Sequence, residues 1–147
     1  MAKVKHRVGI EGSIESIYAC LTTNDGLAGW WATSASGLAY AGSIIELEFS
    51  ELAVLCFKYE RTVVNEIVYL TCVSGPGPWQ NSTLQFELQN SEQQVYVTLT
   101  HENKSCSEDD FLYFSTKWPI YLLSLRDLVE SGKGRPYPQD IKIHIGD

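Results

Sequence analysis

The chain has 147 residues, of which 44% are apolar, and its eleven basic and eighteen acidic residues give a net charge of −7. This length and composition fit one globular domain with a real core, so we expect a single domain over residues 1–147. The negative charge disfavours nucleic acid as a partner, because proteins that bind the phosphate backbone need clustered Lys and Arg.

Targeting signals and reactive motifs are also missing from the sequence. The N-terminal MAKVKHRVGI contains no apolar stretch of a secretion signal, and no run approaches the roughly 18 apolar residues of a membrane span. We therefore expect a cytoplasmic protein without membrane insertion. The cysteines Cys20, Cys56, Cys72 and Cys106 form no C-x-x-C pair, so we expect reduced thiols, no metal site and no cofactor.

The first predicted elements are a strand and two short helices. The strand is indicated by the alternation of Val4, His6, Val8 and Ile10 with polar residues and glycine. Ser13 is placed to cap a helix whose apolar side carries Ile14, Ile17, Tyr18 and Leu21. Asn24-Asp25-Gly26 is expected to break that helix, and residues 27–31 to form a second one.

From Gly42 onward the apolar residues recur at every second position, which is typical of half-buried strands. The pattern predicts strands over residues 45–49, 55–60, 67–73, 84–88 and 95–101. In the third of these we place Val68, Leu70 and Cys72 inward. Turn residues separate the strands most clearly at Gly75-Pro76-Gly77-Pro78 and Gln89-Asn90-Ser91.

A long amphipathic helix is predicted over residues 109–130. Its apolar positions recur at three- and four-residue spacing: Phe111, Phe114, Trp118, Leu122, Leu125 and Val129, with Tyr121 and Leu128 beside them. Ser131-Gly132 ends the helix as a glycine C-cap would. Pro119 removes an amide that would bond to Ser115, and we interpret it as a curvature device or, alternatively, a hinge.

These elements predict an α+β fold in which a curved antiparallel sheet of about six strands wraps around the long C-terminal helix, with two short helices after the first strand. Such a helix laid across a curved sheet encloses a cavity more readily than a solid core. The expected cavity is the main indication of function.

The order of the elements and several motifs resemble the START-like superfamily, also called SRPBCC, birch-pollen-allergen-like or helix-grip. Within it, the chain is similar to the branch named after the activator of the heat-shock-protein-90 ATPase. The motifs are Ser13 to Leu21 followed by Leu27-Ala28-Gly29-Trp30-Trp31; Ser74 to Trp79 leading into Thr83-Leu84-Gln85-Phe86; Leu99-Thr100-His101; and Ser115 to Pro119 through Ser124-Leu125-Arg126 to Gly134. The resemblance covers roughly residues 4–136 and leaves 137–147 as a C-terminal extension.

The resemblance implies a hydrophobic cavity between sheet and helix that binds lipids, sterols, polyketides or other apolar molecules. Some members of the superfamily are cyclases or aromatases, the founder of the branch is a co-chaperone, and no catalytic residue set is shared. One departure is the polar segment 102–108 after His101, where the family pattern is apolar. The cavity entrance that this segment borders is therefore expected to differ.

Inward-facing residues of the predicted strands and helix are the candidate cavity lining. Ordinary core packing is the alternative for each of them, whereas the number of aromatic rings favours a pocket. The candidates are Trp31, Phe49, Phe57, Tyr59, Leu70, Phe86, Val97, His101, Phe111, Ser115, Trp118, Tyr121 and Leu122.

Three functions stay open. We favour a carrier or sensor of a small apolar ligand. The second hypothesis is a cyclase or dehydratase that uses His101, Tyr59 or Tyr121 for proton transfer, with His6 near His101; a structural histidine is the alternative. The third is a co-chaperone-like interaction module that contacts a chaperone through outward residues such as Glu46, Glu48 and Lys58.

The C-terminal extension carries its own prediction. Ile141, Ile143 and Ile145 alternate with Lys142 and His144, which indicates a short strand or an extended segment. We expect this segment to dock its isoleucines on the domain or on a second copy of the chain, giving self-association. A frayed terminus is the alternative.

Overall fold

The elements follow the predicted order in the computed structural model, which describes residues 3–147. The strands are β1 (Lys3–Ile10), β2 (Ser34–Ser36), β3 (Ile44–Phe49), β4 (Ala53–Val63), β5 (Ile67–Ser74), β6 (Thr83–Asn90) and β7 (Val95–Glu102). The helices are α1 (Ile14–Thr22), α2 (Asn24–Trp30) and α3 (Glu108–Ser131), with a 3₁₀ turn at Gly77–Trp79.

The strands form one antiparallel sheet in the order β1-β7-β6-β5-β4-β3-β2, which confirms the α+β helix-grip prediction. The register of β4 against β5 shifts between Cys56 and Phe57 and again between Tyr59 and Arg61. Such irregularities bend a strand and increase its twist, which helps the sheet to curve around α3. No helix among residues 3–147 is long and apolar enough to cross a membrane.

Two details differ from the prediction. The described residues form seven strands because β2, only three residues long, is too short to reveal a period. Helix α2 begins at Asn24, so Asn24-Asp25-Gly26 forms its first turn. The break lies at Thr23, whose extended backbone ends α1 and whose hydroxyl accepts a hydrogen bond from the Gly26 amide at 3.0 Å.

Helix α3 has the ends that the sequence predicts. Ser107 and Asp110 form a capping box at its N-terminus, and Gly132 closes it with a left-handed φ of 84°. Pro119 cannot donate to the Ser115 carbonyl, and His6 Nε2 does so instead at 3.0 Å. The carbonyl released by the proline therefore ties α3 to β1.

The core lies between the inner face of the sheet and α3. Alternate residues of β3 to β7 are buried as predicted, and Trp30 at the end of α2 and the following Trp31 pack among them. Trp31 is stacked on Trp30 at 5.3 Å and lies 5.6 Å from Trp118, measured between ring centroids. Aromatic rings thus fill much of the space beneath the helix.

The strand prediction for the C-terminal extension is wrong. Residues 133–147 form turns and irregular backbone, and Ile141 and Ile145 stay about half exposed. The amides of Ile143 and His144 both donate to the Asp147 carboxylate at 2.9 Å, which closes a turn where a strand would be extended. Polar contacts, described below, hold this segment on the domain, and docking of the exposed isoleucines on a second copy stays a prediction.

Candidate ligand pocket

A pocket of about 710 Å³ opens at the end of the sheet where β3, β5 and β7 finish. Four segments form its walls: the β3–β4 turn, the loop before β6, the first half of α3 and the C-terminal extension. The lining residues are Phe49, Leu52, Ala53 and Leu55; Pro76, Gly77, Pro78 and Trp79; Asp109, Asp110, Leu112, Tyr113 and Tyr121; and Tyr137, Asp140, Ile145, Gly146 and Asp147. Its volume lies within the roughly 300–1,000 Å³ of small-molecule sites.

Apolar side chains surround the mouth of this pocket. Leu52, Leu112 and Ile145 all line it, yet their exposed fractions are 65%, 50% and 48%. Single exposed aliphatic residues are ordinary on a protein surface, but several around one concave site indicate a surface that another apolar group covers.

The C-terminal extension is fastened to α3 by a buried ammonium group. Lys117 is 1% exposed, and its Nζ lies 2.7 Å from Asp140 Oδ2, 2.6 Å from Asp147 Oδ2 and 2.9 Å from the Ile141 carbonyl. All three N–H donors of the ammonium therefore have an acceptor. Lys142 adds a second contact to Asp140 at 2.6 Å.

The ionisation of Asp147 reflects these contacts. Burial of the carboxyl group opposes ionisation, but hydrogen bonds from Lys117 and from the Ile143 and His144 amides outweigh it and lower the pKa of Asp147 to about 2. Burial likewise opposes the charge of Lys117, yet its two carboxylate partners raise the pKa of that lysine. Asp147 and Lys117 are thus both charged at neutral pH.

The residues that lead from α3 into the extension are fixed by uncharged hydrogen bonds. The buried Ser124 hydroxyl donates to the Trp30 carbonyl and accepts from the Arg135 amide, both at 2.7 Å. The Tyr137 amide donates to the Trp31 carbonyl at 3.0 Å. These bonds place the Tyr137 ring against Phe49 in the pocket wall, with ring centroids 6.1 Å apart.

The polar segment after His101 anchors the opposite wall. Its Asn103 is buried, and the side-chain amide donates to the Pro78 carbonyl, the Gln80 carbonyl and Ser82 Oγ. These bonds hold the loop that carries Trp79 into the pocket. The polar segment 102–108 itself does not line the pocket, but its Asn103 anchors a loop that does.

The structure brings two of the thirteen candidate lining residues, Phe49 and Tyr121, to the pocket. Phe111 and Ser115 are half-buried on α3, outside the pocket lining. The other nine lie in the packed interior: Trp31, Phe57, Tyr59, Leu70, Phe86, Val97, His101, Trp118 and Leu122. Trp30, Trp31 and Trp118 fill the space between the sheet and the middle of α3. The pocket therefore lies nearer the end of the sheet than the sequence predicts.

His101 is held as a neutral, buried side chain. Its Nδ1 accepts a 2.8 Å hydrogen bond from Trp118 Nε1, so the ring proton lies on Nε2, for which residues 3–147 provide no partner. The ring stacks on Trp79, with centroids 5.3 Å apart. Burial lowers the pKa of His101 to about 3, and His6 bonds to Ser115 instead, so the two histidines have separate partners.

The two candidate tyrosines have different environments. The Tyr59 hydroxyl donates to the Leu21 carbonyl at 3.2 Å in the core, and burial raises its pKa. Tyr121 lies in the pocket wall, where burial and then the neighbouring Tyr113 raise its pKa well above the ordinary value. Both hydroxyl groups are therefore protonated at neutral pH.

Other sequence candidates lie away from the pocket. Glu46 and Glu48 are exposed on the outer face of β3, and Lys58 of β4 pairs with Ile44 and lies 3.8 Å from Glu60. Within residues 3–147, no group of three or more His, Cys, Asp and Glu side chains is arranged to hold a metal ion.

The curved sheet, the long helix beneath it and the pocket at their open end define a START-like helix-grip domain. Residues 11–130 match the family described as activator of Hsp90 ATPase homolog 1-like protein, and the chain belongs to this family. No protein of curated function matches the chain significantly.

Solved structures agree with this assignment. The Aha1 dimer from Colwellia psychrerythraea, determined in solution, is 38% identical with a TM-score of 0.81 and covers 91% of this chain and 100% of its own. DynU16, a putative protein in the dynemicin biosynthetic locus, has a TM-score of 0.83 at 13% identity over 96% of this chain and 50% of its own. CalU16 from Micromonospora echinospora has a TM-score of 0.73 at 13% identity over 87% and 74%. These last two share the fold alone.

Proposed function

We propose that the protein binds a small apolar or aromatic molecule in the pocket at the end of the sheet and acts as its carrier or sensor. The observation that carries this proposal is a cavity of about 710 Å³ whose mouth exposes Leu52, Leu112 and Ile145 to water. Covering such side chains with an apolar ligand is favourable by about 25 cal/mol for each Å² of apolar surface removed from water.

Binding is supported over catalysis by the environment of the candidate proton-transfer groups. His101 and Tyr59 are buried outside the pocket, and each has a hydrogen bond to the protein itself. Only Tyr121 among the three candidates lines the pocket, and its raised pKa keeps the hydroxyl protonated at neutral pH, so no phenolate is present to act as a base. The pocket residues thus favour a ligand that is held unchanged.

The test is a pocket-narrowing variant with a matched control on the same helix. Leu112 lines the pocket and is half exposed, whereas Leu123 of α3 is also partly exposed but does not line it. The neutral dye Nile red should bind the folded parent protein with a rise in fluorescence. Leu112→Trp should weaken that binding strongly and Leu123→Trp should leave it unchanged.

Thermal unfolding of both variants serves as the folding control, because each change adds a ring at an exposed position. Absence of dye binding to the parent protein would overturn the proposal. So would a Leu112→Trp variant that folds and binds the dye as tightly as Leu123→Trp does.

A further inference from the structure

We propose that the pocket prefers apolar molecules that carry a positive charge, such as an amine on an aromatic body, over those that carry a carboxylate. This inference rests on the proposed function and names the chemistry of its ligand. It follows from the charges and the aromatic rings of the pocket wall.

The charged side chains that line the pocket are all carboxylates: Asp109, Asp110, Asp140 and Asp147. Lys117 and Lys142 pair with the last two and balance their charge. Within residues 3–147, Asp109 and Asp110 have no basic partner within salt-bridge distance. The α3 side of the pocket therefore carries two carboxylates that no lysine, arginine or histidine of the described residues pairs with.

The N-terminus of α3 does not reverse this balance. A helix N-terminus attracts anions through its unpaired amides and the helix dipole. Here the first turn already carries Glu108, Asp109 and Asp110, and the Asp110 carboxylate accepts from the Ser107 amide in the capping box. A ligand carboxylate would meet these side chains first, and the net charge of −7 adds to the repulsion.

Aromatic rings supply a second attraction for a cation. Five rings line the pocket, those of Phe49, Trp79, Tyr113, Tyr121 and Tyr137. The protein's own ammonium groups already lie over two of them, Lys117 at 5.6 Å from the Tyr121 centroid and Lys142 at 4.4 Å from that of Tyr137. Aromatic surroundings of this kind recognise ligand ammonium groups in other proteins.

Lys117 cannot serve as the partner of a ligand carboxylate. Its three N–H donors are all taken by Asp140, Ile141 and Asp147, and its side chain is 1% exposed. An anionic ligand would have to displace the C-terminal extension to reach it. Lys117 thus balances the charge of Asp140 and Asp147 and is not available to a ligand carboxylate.

The experiment compares three probes that share one aromatic body: 1-pyrenemethylamine, 1-pyrenemethanol and 1-pyrenecarboxylate. Affinities are measured by fluorescence titration at neutral pH and low salt. We expect the amine to bind tightest and the carboxylate weakest. Raising the salt concentration should reduce the difference, because the charges around the mouth are partly solvated.

A matched pair of variants locates the preference in the pocket. Asp109→Asn removes a lining charge, and Glu108→Gln removes a neighbouring exposed charge that does not line the pocket. Asp109→Asn should lower the affinity for the amine about fivefold, as expected for two charges some 4 Å apart in water, and should raise that for the carboxylate. Glu108→Gln should change the affinities for the amine and the carboxylate much less. Neither variant should change the affinity for 1-pyrenemethanol.

The outcomes separate the two proposals. If the alcohol binds but the carboxylate binds as tightly as the amine, or if both variants act alike, the charge preference is wrong and the apolar pocket stands. If none of the three pyrenes binds, the proposed function fails and the charge preference fails with it.

Discussion

We expect the loss of the Lys117 ammonium group to release the C-terminal extension and to lower the stability of the protein. Lys117→Met keeps a long apolar side chain in the interior and removes the ammonium group. Asp147 then loses its lysine partner, while Asp140 keeps Lys142 at 2.6 Å. The two carboxylates are only 4% and 5% exposed in the folded protein.

The expected loss of unfolding free energy depends on whether the remaining carboxylates stay buried. Removing one partner of a buried ion pair costs about 3–5 kcal/mol when the remaining charge stays buried. Here the remaining carboxylates lie on a terminal segment without a strand or helix, so they can regain water if residues 139–147 detach. Because detachment returns the carboxylates to water, it limits the loss of stability. We expect Lys117→Met to lower the free energy of unfolding by less than about 3 kcal/mol.

Hydrogen exchange reports the detachment directly. The Ile143 and His144 amides donate to Asp147 in the parent protein, so both should exchange much faster in Lys117→Met. Lys142→Met is the control, because Lys142 contacts the same cluster from a partly exposed position. It should cost no more than about 1 kcal/mol and leave the two amides protected.

Either of two results would refute this reasoning. In one, Lys117→Met leaves the free energy of unfolding and both amide exchange rates unchanged, so the cluster does not hold the extension. In the other, the variant loses the full 3–5 kcal/mol expected of an unrelieved buried charge while the two amides stay protected, so the extension cannot detach.

Two further predictions concern the interior. Trp118→Ala should lower the free energy of unfolding by about 3–5 kcal/mol because Trp118 is fully buried. Trp118→Phe should lower it by about 1–3 kcal/mol, mainly because His101 Nδ1 loses its hydrogen-bond donor. Equal losses for the two variants in denaturant unfolding would contradict the buried position of Trp118. The pKa of His101 is lowered by burial from 6.5 to about 3, so the unfolded chain binds a proton that the folded protein does not, and this contribution should reduce stability progressively as pH falls from 6.5 towards 3. NMR should show no titration of His101 between pH 8 and about 4.5, and a midpoint near 6.5 would contradict the buried neutral state.

Much of the fold could be predicted because its elements have strong periods and clear ends. The helix predicted over residues 109–130 spans Glu108–Ser131, since a capping box and a glycine cap mark its limits. Alternation also placed the inner faces of β3 to β7 correctly. Strand β2 was missed because three residues carry no usable period.

The pocket could be predicted only in part, because its position depends on contacts between distant segments. Periodicity shows that Phe49 and Tyr121 face inward, but it does not show that Trp30 and Trp31 fill the space under mid-helix. Three lining residues were missed: Leu52 lies on the β3–β4 turn, Tyr113 beside the apolar stripe of α3, and Tyr137 in the extension.

One sequence signal for the extension was available. Lys117 falls on the buried side of α3, between Phe114 and Tyr121 in the apolar stripe. A charged residue at such a position requires a paired carboxylate. Asp140 and Asp147 of the extension were candidates, and that pairing would have favoured an ion-held segment over a strand.

The most direct test of the account locates a bound apolar probe on the folded protein. Isotope-labelled protein is titrated with 1-pyrenemethanol, and the amide shift changes are mapped by NMR. Ligand binding in the pocket predicts the largest changes around Leu52, Leu112, Tyr113 and Ile145. Changes centred on the outer face of β3 and β4, around Glu46 and Lys58, or no changes at all, would contradict it.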